Sequence, residues 1–239
     1  MNFVGILAGG IGKRMGKTEL PKQFLKIGDK PIIVHTIEQF YINFKIEKII
    51  VGVPKNWIDY TKKLIEKYIV SDKIEIIEGG EDRNQTIMNI CNFINNKYKI
   101  TQNDIIITHD AVRPFITQRI INENIENCNK YGATDTVIQA IDTIVESKDN
   151  SNINTIPVRS NMYQGQTPQS FRVKELMNTY NMLKEEEKEL LTDACKMYVL
   201  KNKKVKLVNG EIYNMKITTQ YDLKLANLLI GVKGDILNA

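Results

Sequence analysis

The sequence predicts an α/β fold with a mostly parallel sheet and helices on both faces. Three observations carry this. Short, nearly continuous apolar runs at 3–7, 48–53 and 104–108 have the length and character of strands buried on both faces. Segments with helical spacing separate those runs. The 239 residues, 42% hydrophobic and 26% charged, suit a single domain, 1–239, with a buried core.

Each element follows in order. Residues 3–7 read as a first strand that runs into a glycine-rich loop. Residues 31–44 read as a helix opened by Pro31. The second strand, 48–53, is closed by Pro54, and 57–69 is an amphipathic helix with Ile58, Leu64, Ile65 and Tyr68 near helical spacing. Strand 74–77 leads into Gly79 and Gly80, and helix 83–96 carries Ile87, Ile90, Cys91 and Ile94. Strand 104–108 and helix 118–131 complete the alternating part. After Thr134 the pattern changes. Segments 136–141, 143–145 and 156–159 are β-rich around a polar, turn-prone stretch at 147–154. They predict a β-hairpin arm over about 142–159. Helices at 174–183 and 193–200, strands at 205–208 and 213–217, and a helix at 220–230 finish the chain.

Composition excludes several classes. No apolar run reaches the roughly 18 residues of a membrane span. The apolar start lacks a basic segment and a small-residue cleavage site, so it reads as a strand and not a signal peptide. Cys91, Cys128 and Cys195 lie far apart without CxxC spacing, which argues against a disulfide framework or a zinc site and fits a cytoplasmic setting. The net charge of +5 comes from scattered lysines without a basic block, so no nucleic-acid partner is expected. It suits an enzyme whose ligands are polyanions.

Four segments carry chemistry. Leu7, Ala8, Gly9 and Gly10 open a glycine loop whose N–H groups can turn toward phosphate, and Arg14 and Lys22 add cations to it. Gly10-Ile11-Gly12 begins a dinucleotide fingerprint, but Met15 stands at its sixth position and no acidic residue ends the second strand. A Walker loop fails too, since no Lys-Ser or Lys-Thr follows the glycines at the required spacing. Gly80, Glu81, Arg83 and Thr86 lie between a strand and a helix; they suit either a base-binding turn or an ordinary acidic helix start. Asp110 ends an apolar strand, where a carboxylate can hold a ligand or simply cap a turn. His109 beside it reads as a packed histidine. The late segments contain Arg159, Thr167, Thr192 and Lys216. Thr192-Asp193 also fits a helix N-cap, and Lys216 alternates with Met215 and Ile217.

LAGGIGKRMG followed by PKQF resembles the signature of nucleotidyltransferases that activate sugar and polyol phosphates. With HDAVRP and the late segments, the resemblance narrows to the methylerythritol-phosphate and ribitol-phosphate cytidylyltransferases and spans nearly the whole chain. It implies a Rossmann-like sheet of nucleotidyltransferase type and a homodimer joined through the arm. CTP and a polyol phosphate are the implied ligands, with Mg²⁺ as cofactor. On this resemblance Leu7, Ala8, Gly9, Gly10, Gly80, Glu81, Arg83 and Thr86 bind the nucleotide. Arg14, Lys22, Arg159 and Lys216 act in catalysis. Asp110, Arg113, Thr143, Thr167 and Thr192 face the acceptor, and Asp110 helps place the metal. GGEDRNQTIMN, MYQGQTPQSF and LTDACK resemble the ribitol 5-phosphate branch most, although Ser160 stands where that branch is expected to have aspartate. The expected reaction joins CTP to D-ribitol 5-phosphate, giving CDP-ribitol and pyrophosphate. The alternatives are methylerythritol 4-phosphate as acceptor, or a non-catalytic nucleotide-binding protein.

Overall fold

A computed structural model describes residues 1–10 and 20–231. Strand β1 (Asn2–Leu7) is followed by a short hairpin, β2 (Lys26–Ile27) and β3 (Lys30–Pro31), and by helix α1 (Ile32–Tyr41). Two strand–helix units come next: β4 (Lys48–Val53) with α2 (Ile58–Glu66), and β5 (Ile74–Glu78) with α3 (Arg83–Lys97). Strand β6 (Ile105–Asp110), helix α4 (Gln118–Tyr131) and strand β7 (Ala133–Gln139) lead into the arm. The chain returns through β8 (Tyr163–Arg172), α5 (Val173–Asn181), α6 (Glu185–Glu189) and α7 (Ala194–Leu200). Strand β9 (Lys206–Asn209) and helix α8 (Gln220–Gly231) follow.

Seven strands form one sheet in the order β5-β4-β1-β6-β8-β7-β9. Within it β8 is reversed: it runs antiparallel to β6 and β7, while the other neighbours pair in parallel. Alternate strand residues point to opposite faces, and both faces are apolar. Ile49, Val51 and Ile107 join Ile33 and Phe40 of α1, Ile65 of α2 and Ile121 of α4 on one side. Ile50, Ile106 and Phe171 join Ile87 and Ile94 of α3, Leu176 of α5 and Tyr198 of α7 on the other. The expected mostly parallel sheet, covered on both faces, is the observed one.

Local chemistry sets the helix ends. Asp82 caps α3 by accepting from the Gln85 N–H at 2.8 Å. Helix α4 stops at Gly132, whose φ of +88° lies in the left-handed region that favours glycine. Pro31 precedes α1 as its cap and does not sit inside it, and the helix ends at Tyr41, short of 44. The start expected at 57 is a 3-10 turn, Lys55–Trp57, ahead of α2.

Two expectations need correction, and one strand is additional. The strand expected at 213–217 is irregular, because its backbone is held by loop contacts such as Ile217 N–H to Val112 O at 2.9 Å. The arm's two β-rich segments do not form paired strands; a single antiparallel bridge joins Glu146 to Thr155. Conversely, β8 was not expected as a strand. Its Gln, Thr, Ser, Gly and Pro content reads as loop, yet Gln166, Thr167, Gln169 and Ser170 are all buried. They are tolerated because they are hydrogen-bonded. Asn124 of α4, itself buried, accepts from Thr134 and Ser170 hydroxyls and donates to Thr136. Among the described residues, no helix is long and apolar enough to cross a membrane.

Candidate active site

The carboxyl ends of the parallel strands stay together beyond the strands themselves. Ala8 N–H donates to Gly52 O at 2.9 Å, Ala111 N–H to Leu7 O at 3.1 Å, and Gly79 N–H to Val53 O at 2.7 Å. The chain leaves β1 for β4 on one side and later returns to β6 on the other. Ligands of open α/β sheets bind at such a switch point. A cavity of about 220 Å³ lies there. Its lining brings together Leu7, Ala8, Gly9, Gly10, Lys22, Gly80, Glu81, Arg83, Thr86, Asp110 and Lys216, all singled out from the sequence. Gln23, Asp82, Ala111 and Val112 complete it.

The loop after β5 is shaped from within. Thr86 Oγ1 donates to Asp82 O at 2.8 Å and accepts from Gly80 N–H at 2.9 Å. A β-carbon on Gly80 would lie 2.5 Å from Gln85 Cβ, so no larger residue fits this turn. On the opposite wall, buried Gln23 donates to Ala8 O at 2.7 Å and so fixes the start of the glycine loop.

Asp110 is the electrostatic centre. Its Oδ2 lies 3.1 Å from both Arg113 Nε and Lys216 Nζ, and its Oδ1 lies 3.7 Å from Arg83 Nε. Burial alone would push this carboxyl up, but Arg83, Lys216 and Arg113 together hold it well below the usual carboxylate range. The partners are fixed in turn. Arg113 donates through Nη1 to Asn214 O at 2.8 Å. Fully buried Asn214 and Ile217 flank Lys216 and anchor its loop, so an irregular segment still delivers the lysine to Asp110. Thr167 Oγ1 accepts from Asp110 N–H at 3.1 Å and lies 3.0 Å from His109 Nδ1. The hydroxyl therefore donates to Nδ1, and Nε2 carries the histidine proton toward Arg113 O at 3.1 Å. Burial pushes His109 down to about 4, so the packed histidine is neutral.

Several expected site residues stand elsewhere. Arg113 and Thr167 lie behind the cavity wall, buried, with side chains that hold Asp110 in place. Thr192 is exposed and precedes Asp193, which is the true N-cap of α7. Thr143 and Arg159 are exposed on the arm, where Arg159 Nη1 donates to Ile141 O at 3.0 Å. Arg14 lies outside the described residues. Gln23 and Gln169 were missed by the sequence reading. Each sits within one or two residues of a selected position, Lys22 or Thr167, and that proximity was the available signal.

The expectation that Asp110 holds a metal is not met by its surroundings. Mg²⁺ takes oxygen ligands, usually one or two carboxylates with waters and phosphates. Both Asp110 oxygens already face cations, so the carboxylate's charge is met by Arg83, Arg113 and Lys216. These residues do not fit a protein-held magnesium.

A glycine turn and a cationic cluster built on one carboxylate converge at a parallel-sheet switch point. Fold and site together define a nucleotidyltransferase. The chain belongs to the IspD family: the family model for 2-C-methyl-D-erythritol 4-phosphate cytidylyltransferase matches residues 3–231. Solved structures agree in fold. The chain is similar to 4-diphosphocytidyl-2C-methyl-D-erythritol synthase from Anaerococcus prevotii DSM 20548, with 26% identity, a TM-score of 0.79 and 96% of each chain covered. It is also similar to Francisella tularensis 2-C-methyl-D-erythritol 4-phosphate cytidylyltransferase, with 27% identity, a TM-score of 0.79, and 95% of this chain and 98% of that one covered. The corresponding Thermus thermophilus protein, at 22% identity and a TM-score of 0.71, shares the fold over 95% of this chain and 98% of its own. The chain is thus an enzyme of the cytidylyltransferase class.

Proposed function

We propose that the protein transfers the cytidylyl group of CTP to the phosphate of a small acyclic polyol phosphate. The observation that carries this is the cavity in which the glycine loop and Lys22 face Asp110 with its three cations. A phosphate oxygen of the acceptor attacks the α-phosphorus of CTP. The bond from that phosphorus to the bridging oxygen breaks, and pyrophosphate leaves with the electron pair. A phosphate monoester has a second pKa of about 6, so the acceptor is already mostly a dianion at neutral pH. It needs no general base, and Asp110, held ionised between cations, is unsuited to be one. The difficulty is bringing two anions together. Lys22 and Arg14 are proposed to meet the charge growing on pyrophosphate, and Lys216 to hold the incoming phosphate in line.

Two acceptors have support. The matched family model and the relatives named above favour 2-C-methyl-D-erythritol 4-phosphate, and their support is the broader. The segments GGEDRNQTIMN, MYQGQTPQSF and LTDACK favour ribitol 5-phosphate by resemblance alone. One assay separates them: pyrophosphate release with CTP, Mg²⁺ and either acceptor, with glycerol 3-phosphate as control. A kcat/KM higher by tenfold or more for one acceptor assigns it. No turnover of CTP with any of the three would return the reading to a non-catalytic nucleotide binder. Magnesium enters the proposal only as an ion carried by the nucleotide's phosphates, which asks nothing of Asp110. Activity should vanish in EDTA and return with Mg²⁺; full activity in chelator would remove the ion.

The working unit is proposed to be a homodimer joined through the arm. Ile141, Ile156 and Val158 are each more than 60% exposed in the single chain, beside Arg159. An apolar arm of this kind calls for a cover, and a two-fold pair would cover both arms with one self-complementary contact.

A further inference from the structure

We infer that Gln169 is a positioning residue that sets Arg83 against Asp110 and ties both to the N-cap of α7. The inference rests on the cytidylyl-transfer reading of the site. Gln169 sits in β8, opposite Thr108 of β6 on one side and Asp135 of β7 on the other. The residue is 1% exposed, and its amide meets three charged groups. Oε1 accepts from Arg83 Nη2 at 3.1 Å, while Nε2 donates to Asp135 Oδ1 at 3.0 Å and Asp193 Oδ2 at 3.3 Å.

This pattern fixes the amide's direction. Its oxygen must face the guanidinium and its nitrogen the two carboxylates, because the flipped amide would set like against like on both sides. A rigid amide of this kind holds Arg83 at a defined distance from Asp110 Oδ1. Arg83 lines the cavity, and its Nη1 is buried without a hydrogen-bond partner in the protein, so Gln169 is the guanidinium's one hydrogen-bonding anchor among the described residues. The far end of the link is Asp193, whose Oδ1 accepts from Lys196 N–H at 2.9 Å at the start of α7. Gln169 thereby joins the start of α3, which carries Arg83, to the segment that carries Thr192. A ligand that moves Arg83 must also strain the start of α7.

A double-mutant cycle read by single-turnover kinetics, with enzyme in excess so that slow variants remain measurable, tests this. Gln169→Leu should lower the rate by about tenfold or more. In an Arg83→Lys background, which keeps the charge but removes Nη2, the same change should cost less than about threefold, because the link is already broken. Equal losses in both backgrounds would make Gln169 merely structural and overturn the inference, as would an effect under about threefold in the otherwise unaltered chain. Thermal melts check folding. Should Gln169→Leu fail to fold, Gln169→Met, which keeps the length and loses both the acceptor and the donor, takes its place in the same cycle, with the same outcomes deciding. Turnover by the unaltered protein is measured first, so that failure of the cytidylyl-transfer reading is seen separately.

Discussion

At the scale of single residues, the site is governed by which charges are compensated. Lys216 is about one-third exposed, so its ion pair with Asp110 adds little to folding, while its charge faces the cavity. Lys216→Ala should lower kcat/KM for the acceptor by about 10²–10³-fold and leave CTP affinity nearly unchanged. Calorimetric titration with CTP checks the second half, and a large loss of CTP affinity would move Lys216 to the nucleotide side. Asp135 shows the opposite balance. Burial pushes its carboxyl up to about 6, and the charge of Asp193 adds to this against the Gln169 amide, the Cys195 thiol and Arg83. A carboxyl raised in the folded state costs stability once ionised, so the cost is absent below the unfolded pKa near about 4 and complete above about pH 6. Asp135→Asn should therefore melt about 2–4 °C higher than the unaltered protein at about pH 7.5, with the gap closing by about pH 4. Melting curves across that range test the sign. The residues around the cavity were legible because glycine turns and strand-end carboxylates have few other uses. Gln169 was not, since a glutamine in a polar stretch looks like surface until its three charged neighbours arrive from β7, α3 and the start of α7.

At the scale of elements, β8 is held as much by polar contacts as by apolar ones. Asn124 gathers the hydroxyls of Thr134, Thr136 and Ser170, and Thr136 Oγ1 also donates to Pro168 O at 2.6 Å, next to the register shift between β7 and β8. Asn124→Ala would leave these groups buried and partly unsatisfied. It should cost about 1–3 kcal/mol of stability, read as a lower urea midpoint with an unchanged slope. The alternating units from β1 to α4 were readable from periodicity because apolar residues there report burial directly. Strand β8 breaks that link: its burial depends on partners in α4 and β7, which no local pattern encodes. The segment at 213–217 erred the other way. Its alternation of Met215, Lys216 and Ile217 suits a strand, but its hydrogen bonds go to the loop after β6.

At the scale of the whole molecule, one chain displays Arg159 and Thr143 on an exposed arm that contributes nothing to the cavity lining. If the arm serves a second copy, Arg159 acts in trans. Co-expressed Arg159→Ala and Lys216→Ala chains should then regain activity, because a mixed dimer has one doubly damaged site and one intact site. Arg159 acting within its own subunit leaves every site damaged and the mixture inactive. Sedimentation at assay concentration comes first, and a monomer there would end the arm proposal.

The cluster around Asp110 also sets a schedule for synthesis. Its carboxylate leaves the ribosome soon after Arg83, yet Thr167, which holds its backbone, and Lys216, which completes its charge, emerge only long after it. A nascent chain can align β5, β4, β1 and β6 early, but β6 keeps an open edge until β8 appears. A message truncated between Asp110 and Lys216 thus yields a polypeptide with the glycine turn at Gly80 and without the balanced anion site.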